Sequence, residues 1–187
     1  MIFKLLITSI GGEYSPQLIL DLKKQNIDFN LEIIGVDNND EAIGKNFCDY
    51  FYKVPLGNDL KYHEKISSIC KKHEVNLILP TSDEEAFSLS KNRSFIENDN
   101  TILACTDFET IKIFNDKILT YKKLEEYNIP CPVYKISQNK DDISNIIDEL
   151  ITKFDEIIVK PSNTRGGRDV YIISNKIKGY KEYSSNR

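Results

Sequence analysis

Lys160, Pro161 and the loop Ser162-Asn163-Thr164-Arg165-Gly166-Gly167-Arg168 bring together the residue types best suited to chemistry in this chain. Lys160 closes one short β-branched run, Ile157 to Lys160, and a second run, Val170 to Ile173, follows the loop. The pattern reads as strand, flexible loop, strand, a hairpin with a long tip. Lysine and arginine side chains and the exposed N–H groups around paired glycines are donors that match phosphate oxygens, so a polyphosphate is the ligand such a loop would hold. Taken alone, the same residues also describe a solvent-exposed hairpin tip with an edge-strand lysine.

Two other places carry weaker signals. Gly11-Gly12-Glu13 follows an apolar run and precedes a helix, the position where a doubly wound fold receives an anionic ligand. The spacing is not Gly-x-Gly-x-x-Gly, so a nicotinamide-dependent oxidoreductase is disfavoured, and a small carboxylate ligand competes with a purely structural turn. No Gly-x-x-x-x-Gly-Lys-Ser/Thr loop occurs. Asp83, Glu84 and Glu85 follow the run Asn76 to Leu79. Asp83 and Glu84 are candidates for contacting substrate, whereas Ser82 with Glu85 fits a helix capping box. His63 and His73 lie ten positions apart, off the helical metal spacing, and read as a solvated helix flank. Cys48, Cys70, Cys105 and Cys131 form no Cys-x-x-Cys pair and read as reduced residues, so the sequence offers no metal site.

The elements that must position these residues follow from periodicity. Ile2 to Ser9 and Leu31 to Val36 read as apolar, central strands, and Asp49 to Pro55 as an edge strand. Asn76 to Leu79 and Thr101 to Ala104 complete the set of strands. Helices are expected from a Ser15 cap with Pro16 at the first position, from Asp59, from a Ser82 cap, and from Thr106-Asp107-Phe108-Glu109, a second capping box. Alternating strands and helices over the first 112 residues predict an α/β, doubly wound, Rossmann-like parallel sheet. From Asn115 the texture changes to α+β: a helix through Leu124 to Tyr127, a strand at Val133 to Ile136, a helix over Asp141 to Phe154, the hairpin, and a polar tail after Asn175.

The order of parts resembles the ATP-grasp superfamily, and is most similar to its carbamoyl-phosphate synthase large subunit and carboxylate-amine ligase branch. Five segments carry the likeness: the opening strand with Gly11-Gly12; Leu79-Pro80-Thr81-Ser82-Asp83-Glu84; Asn115-Asp116-Lys117; Asn128-Ile129-Pro130-Cys131-Pro132; and Val159-Lys160-Pro161 with Arg165 to Val170. The resemblance implies a pre-ATP-grasp domain over 1–112 and the first lobe of an ATP-grasp domain over 113–187. It implies that Lys117 and Lys160 contact ATP phosphates and that Ser162 to Arg168, with Arg165, Gly166, Gly167 and Arg168, folds over them. It further implies an enzyme that uses ATP and Mg²⁺ to activate a carboxylate as an acyl phosphate for attack by an amine or similar nucleophile. Magnesium ligands belong to a later lobe of the family, so this chain alone is expected to be inactive. The alternative is a non-catalytic ligand-binding or partner module, such as one half of a split protein that needs a second chain. A homodimer through the N-terminal domain is a further implication.

The 187 residues suit one domain and part of a second. With 40% hydrophobic and 29% charged residues, the chain is expected to fold around a core, and a net charge of −4 argues against nucleic-acid or anionic membrane partners. The first apolar run is too short for a membrane span and lacks a cleavage site, which suits a cytoplasmic protein.

Overall fold

The structure, a computed structural model, describes residues 2–25, 28–164, 168–174 and 180–182. The chain divides into two compact units, 1–112 and 113–187.

The first unit is built on β1 (Ile2–Ile7), whose apolar residues face both ways. Leu6 packs with Ile34, Val36, Tyr62, Ile66 and Leu89 on one side of the sheet, while Leu5 and Ile7 pack with Ile10, Ile19 and Ile33 on the other. This two-residue alternation with both faces buried is what makes β1 central. Each fully buried Ile or Leu contributes roughly 1.5–3 kcal/mol relative to exposure. Parallel strands surround it in the order β3-β2-β1-β4-β5, with β2 (Asn30–Asp37), β3 (Tyr50–Lys53), β4 (Leu77–Leu79) and β5 (Ile102–Leu103). Helix α1 (Ser15–Lys24) covers one face; α2 (Tyr62–His73) and α3 (Asp83–Lys91) cover the other. A 3-10 turn over Ile43–Phe47, a short α4 (Arg93–Ile96) and α5 (Phe108–Asn115) complete the connections.

The α/β doubly wound expectation holds, while several local expectations change. Ser15 does not cap α1: it is buried inside the first turn, and its hydroxyl donates to the Ser9 carbonyl at 3.2 Å. Asp59 shapes the turn before α2 by accepting the Lys61 N–H at 2.7 Å, and the helix begins at Tyr62. Asp107, not Thr106, caps α5 by accepting the Thr110 N–H at 2.9 Å. His73 is no solvated flank, because its Nε2 pairs with the Tyr52 hydroxyl at 2.7 Å and its ring packs on Tyr50; His63 packs edge-on against Phe95. All four cysteines are free, and burial pushes the thiols of Cys48 and Cys70 up to about 11 and about 12.

The second unit contains α6 (Lys117–Glu126), α7 (Lys140–Ile151) and an antiparallel sheet in the order β6-β7-β8, formed by Glu156–Val159, Tyr171–Ser174 and Tyr180–Glu182. The expected hairpin is present, with Ile157 opposite Ile173. Residues 180–182 join the sheet as β8, although they read as part of a polar tail. Val133 to Ile136, read as a strand, carries no strand pairing among the described residues. Its β propensity is outweighed because a strand exists only where a neighbouring edge accepts its N–H and C=O groups.

Candidate functional site

At the carboxyl edge of the parallel sheet, two buried carboxylates grip the β1–α1 turn from opposite sides. Asp37, last residue of β2, accepts the Gly11 N–H at 2.7 Å and the Asn39 N–H at 2.9 Å. A Cβ on Gly11 would sit 3.0 Å from the Asp37 Oδ2, which is why a glycine stands there. Ser9 adopts a left-handed φ of 48°, its carbonyl accepts the Gly12 N–H at 3.1 Å, and its hydroxyl donates to the Glu85 Oε2 at 2.7 Å. The Gly11 and Gly12 amides are therefore committed to the protein, which favours the structural-turn reading over an anion cradle. Glu13, Asp83 and Glu84 are exposed at the surface. Glu85 differs from its expected capping role: it turns inward to Ser9, and Ser82 makes no side-chain cap. Asp37 opens the polar turn Asp37 to Asp40, whose place at the carboxyl end of a strand reads from sequence as a ligand-facing edge, whereas nothing in the spacing singled out Ser9.

Burial pushes the Glu85 carboxyl above its ordinary range, against the opposing pull of nearby hydroxyls, those of Thr8 and Ser9 foremost. In the pH interval between the ordinary and the raised value, the native state therefore holds a proton that the unfolded chain has released. Stability contributed at this position falls as pH rises from the ordinary glutamate range through the raised value and stays lower above it, by roughly 1.4 kcal/mol per unit of difference. Glu85→Gln keeps an acceptor for the Ser9 hydroxyl and removes that slope. Urea unfolding between pH 4 and 8 should show the variant gaining on the wild type as pH rises; a constant difference across the range would contradict this account.

The second candidate site is assembled by α6 and the end of β6. Asp116 caps α6 by accepting the Ile118 and Leu119 N–H groups at 2.8 and 3.1 Å, and this places Lys117 in the first turn with Tyr121 four residues on, along the same face. The Lys117 N–H donates to the Ser162 carbonyl at 2.9 Å, and its ammonium donates to the Ser162 and Thr164 carbonyls at 3.2 and 2.6 Å. Lys160 donates to the Tyr121 hydroxyl at 3.0 Å, with its nitrogen 5.4 Å from the ring centroid, and the Tyr121 ring packs against Tyr134 at 4.9 Å. Both lysines line one cavity of about 600 Å³, walled by Ile143, Ile147 and Leu150 of α7 and by Ile157 of β6. That volume lies in the range of small-molecule sites, roughly 300–1,000 Å³.

The structure therefore brings Lys117, Lys160 and Ser162 to one place. Ser162 donates its hydroxyl to the Asn163 side chain at 2.9 Å, and the Thr164 hydroxyl donates to the Arg168 carbonyl at 3.2 Å, so the loop's two described ends are tied together. Arg168 is exposed. Arg165, Gly166 and Gly167 lie outside the described residues. Tyr121 and Tyr134 are additions that sequence reading passed over; the four-residue step from Lys117 to Tyr121 was the signal for the first.

Residues 5–104 match the family described as PylC-like, N-terminal domain. The chain belongs to this family. The chain is 25% identical over 156 residues to carbamoyl-phosphate synthase of Methanobrevibacter smithii, an alignment covering 82% of this chain and 40% of that protein. Among solved structures, N5-carboxyaminoimidazole synthetase of Staphylococcus aureus complexed with ADP superposes with a TM-score of 0.68 at 13% identity, over 94% of this chain and 43% of that one. The biotin carboxylase domain dimer of Hydrogenobacter thermophilus 2-oxoglutarate carboxylase, in complex with MgADP, ADP and bicarbonate, superposes at 0.64 with 16% identity, over 92% and 38%. Identities this low speak for the fold alone. The recognition of the ATP-grasp superfamily stands with these matches, and this PylC-like chain spans about 40% of the length of the curated relative it matches.

Proposed function

We propose that the chain is the N-terminal part of an ATP-dependent ligase that activates a carboxylate as an acyl phosphate for attack by an amine or similar nucleophile. The observation that carries this reading is the convergence of Lys117 and Lys160, from different elements, on one cavity beside the loop that starts at Ser162. The residues fit a nucleoside polyphosphate: two ammonium groups offer donors to phosphate oxygens, and an apolar wall can take a base. When bound, ATP supplies a transferable phosphoryl group. The chain's own part is to hold and orient it, through Lys117 and Lys160, with Ser162, Arg165, Gly166, Gly167 and Arg168 proposed to close over the phosphates. Among the described residues no group of three or more His, Cys, Asp or Glu is placed to hold a metal ion.

The carboxylate substrate and a homodimer through the first unit belong to the same proposal; the Hydrogenobacter relative is itself described as a domain dimer. Among the described residues no helix is long and apolar enough to cross a membrane. Calorimetric titration of ATP into the 187-residue chain tests the nucleotide reading. Weak but saturable binding is expected, removed by Lys160→Ala and retained by Lys153→Ala, a change at an exposed lysine outside the cavity. Equal heats for wild type and Lys160→Ala would contradict the assignment.

A further inference from the structure

We infer that Tyr121 is the positioning residue for Lys160, fixing its ammonium on the cavity wall to receive the phosphates of a nucleoside di- or triphosphate; this rests on the nucleotide reading above. Lys160 is exposed and sits on a flexible four-carbon stem, so without a partner its charge would sample many positions. Tyr121 restricts it in two ways. Its hydroxyl accepts one ammonium N–H at 3.0 Å, and its ring, 5.4 Å from the nitrogen, faces the charge. Two ammonium hydrogens then remain for phosphate oxygens.

The tyrosine is itself held. Its ring packs on Tyr134 at 4.9 Å, and the Tyr134 hydroxyl donates to Glu125 at 3.1 Å, one turn further along the same helix as Tyr121. The start of that helix is tied to the loop side by the Lys117 contacts with Ser162 and Thr164. A chain of contacts thus runs from α6 to Lys160, and the two lysines are set by the two ends of one helical turn.

Lysine-labelled chain, assigned with Lys160→Met and Lys117→Met, gives the test in ¹H–¹³C spectra with ADP as the probe. The Lys160 Hε signal should be ring-current shifted in the wild type and in Tyr121→Phe, and should return to the ordinary position in Tyr121→Leu. Added ADP should move both lysine signals, with an apparent Kd about three- to tenfold weaker in Tyr121→Phe, because the change loosens Lys160 while leaving its own contact with phosphate in place. Tyr127→Phe, an exposed control on the same segment, should match the wild type. An unshifted Lys160, or an ADP Kd indifferent to Tyr121 while both lysines respond, overturns the positioning role and leaves the nucleotide reading standing. If ADP moves neither lysine although Tyr121→Leu abolishes the Lys160 shift, the nucleotide reading itself falls, and the positioning role with it. Should Tyr121→Leu fail to fold, the single-oxygen change Tyr121→Phe carries the comparison.

Discussion

Lys117→Met is expected to weaken ADP binding about ten- to a hundredfold. Hydrogen bonds to a charged group are each worth about 1.5–3 kcal/mol, and 1.4 kcal/mol is tenfold in affinity. The ammonium of Lys117 is proposed to meet phosphate, and it also bridges the Ser162 and Thr164 carbonyls. Methionine preserves most of the stem and leaves the Lys117 main-chain N–H bonded to Ser162, so the helix start should persist. The variant should therefore show faster amide exchange at Asn163 and Thr164 while its melting temperature stays within about 4 °C of the wild type. Lys122→Met, an exposed change on the same helix, serves as control. Unchanged ADP affinity in Lys117→Met would remove Lys117 from the nucleotide site and leave it a loop tether.

Gly44→Ala should be the most damaging small substitution in the first unit, at about 3 kcal/mol, near the upper end of overpacking costs. Gly44 is buried in the 3-10 turn, its N–H donates to the Ile10 carbonyl at 3.0 Å, and an added Cβ would overlap that carbonyl oxygen and lie 2.9 Å from the Ile10 Cβ. Backbone at this point cannot move without disturbing the exit from β1. Gly12→Ala is the contrast: its Cβ would meet the Ser15 hydroxyl and the Ser9 carbonyl at 3.4 Å, ordinary contact, and less than about 1 kcal/mol should be lost. Urea midpoints for the two variants should separate clearly. Equal midpoints would show that the β1–α1 region yields more readily than its packing indicates.

Much of this architecture was legible in local patterns. The unbroken apolar run of β1 marked a strand buried on both faces, and Leu5, Leu6 and Ile7 do divide between the two sides of the sheet. The helix expected from Asn115 begins instead at Lys117 with Asp116 as its cap, because Asn115 still belongs to α5, whereas the β-branched runs around the 160s announced a hairpin whose first strand Lys160 closes. Such signals survive because capping, alternation and turn chemistry act over a few residues, and each has one cheapest local solution.

Contacts between distant residues were beyond that reach. Ser82 and Glu85 satisfy a capping pattern on paper, yet a hydroxyl from Ser9, brought near by the pairing of β1 with β4, draws Glu85 inward. Val133 to Ile136 has strand composition but finds no pairing edge among the described residues, whereas the plainer Tyr180 to Glu182 finds one on β7. The amides of Gly11 and Gly12 looked available to an anion until the fold set Asp37 beside one and Ser9 beside the other. For the lysines, chain order supplied the residues and their chemistry, while the placement of Tyr121 against Lys160 and of the Ser162 and Thr164 carbonyls against Lys117 came from packing. Residue type carries the charge; where that charge is held depends on groups some 40 positions away, which no local rule relates.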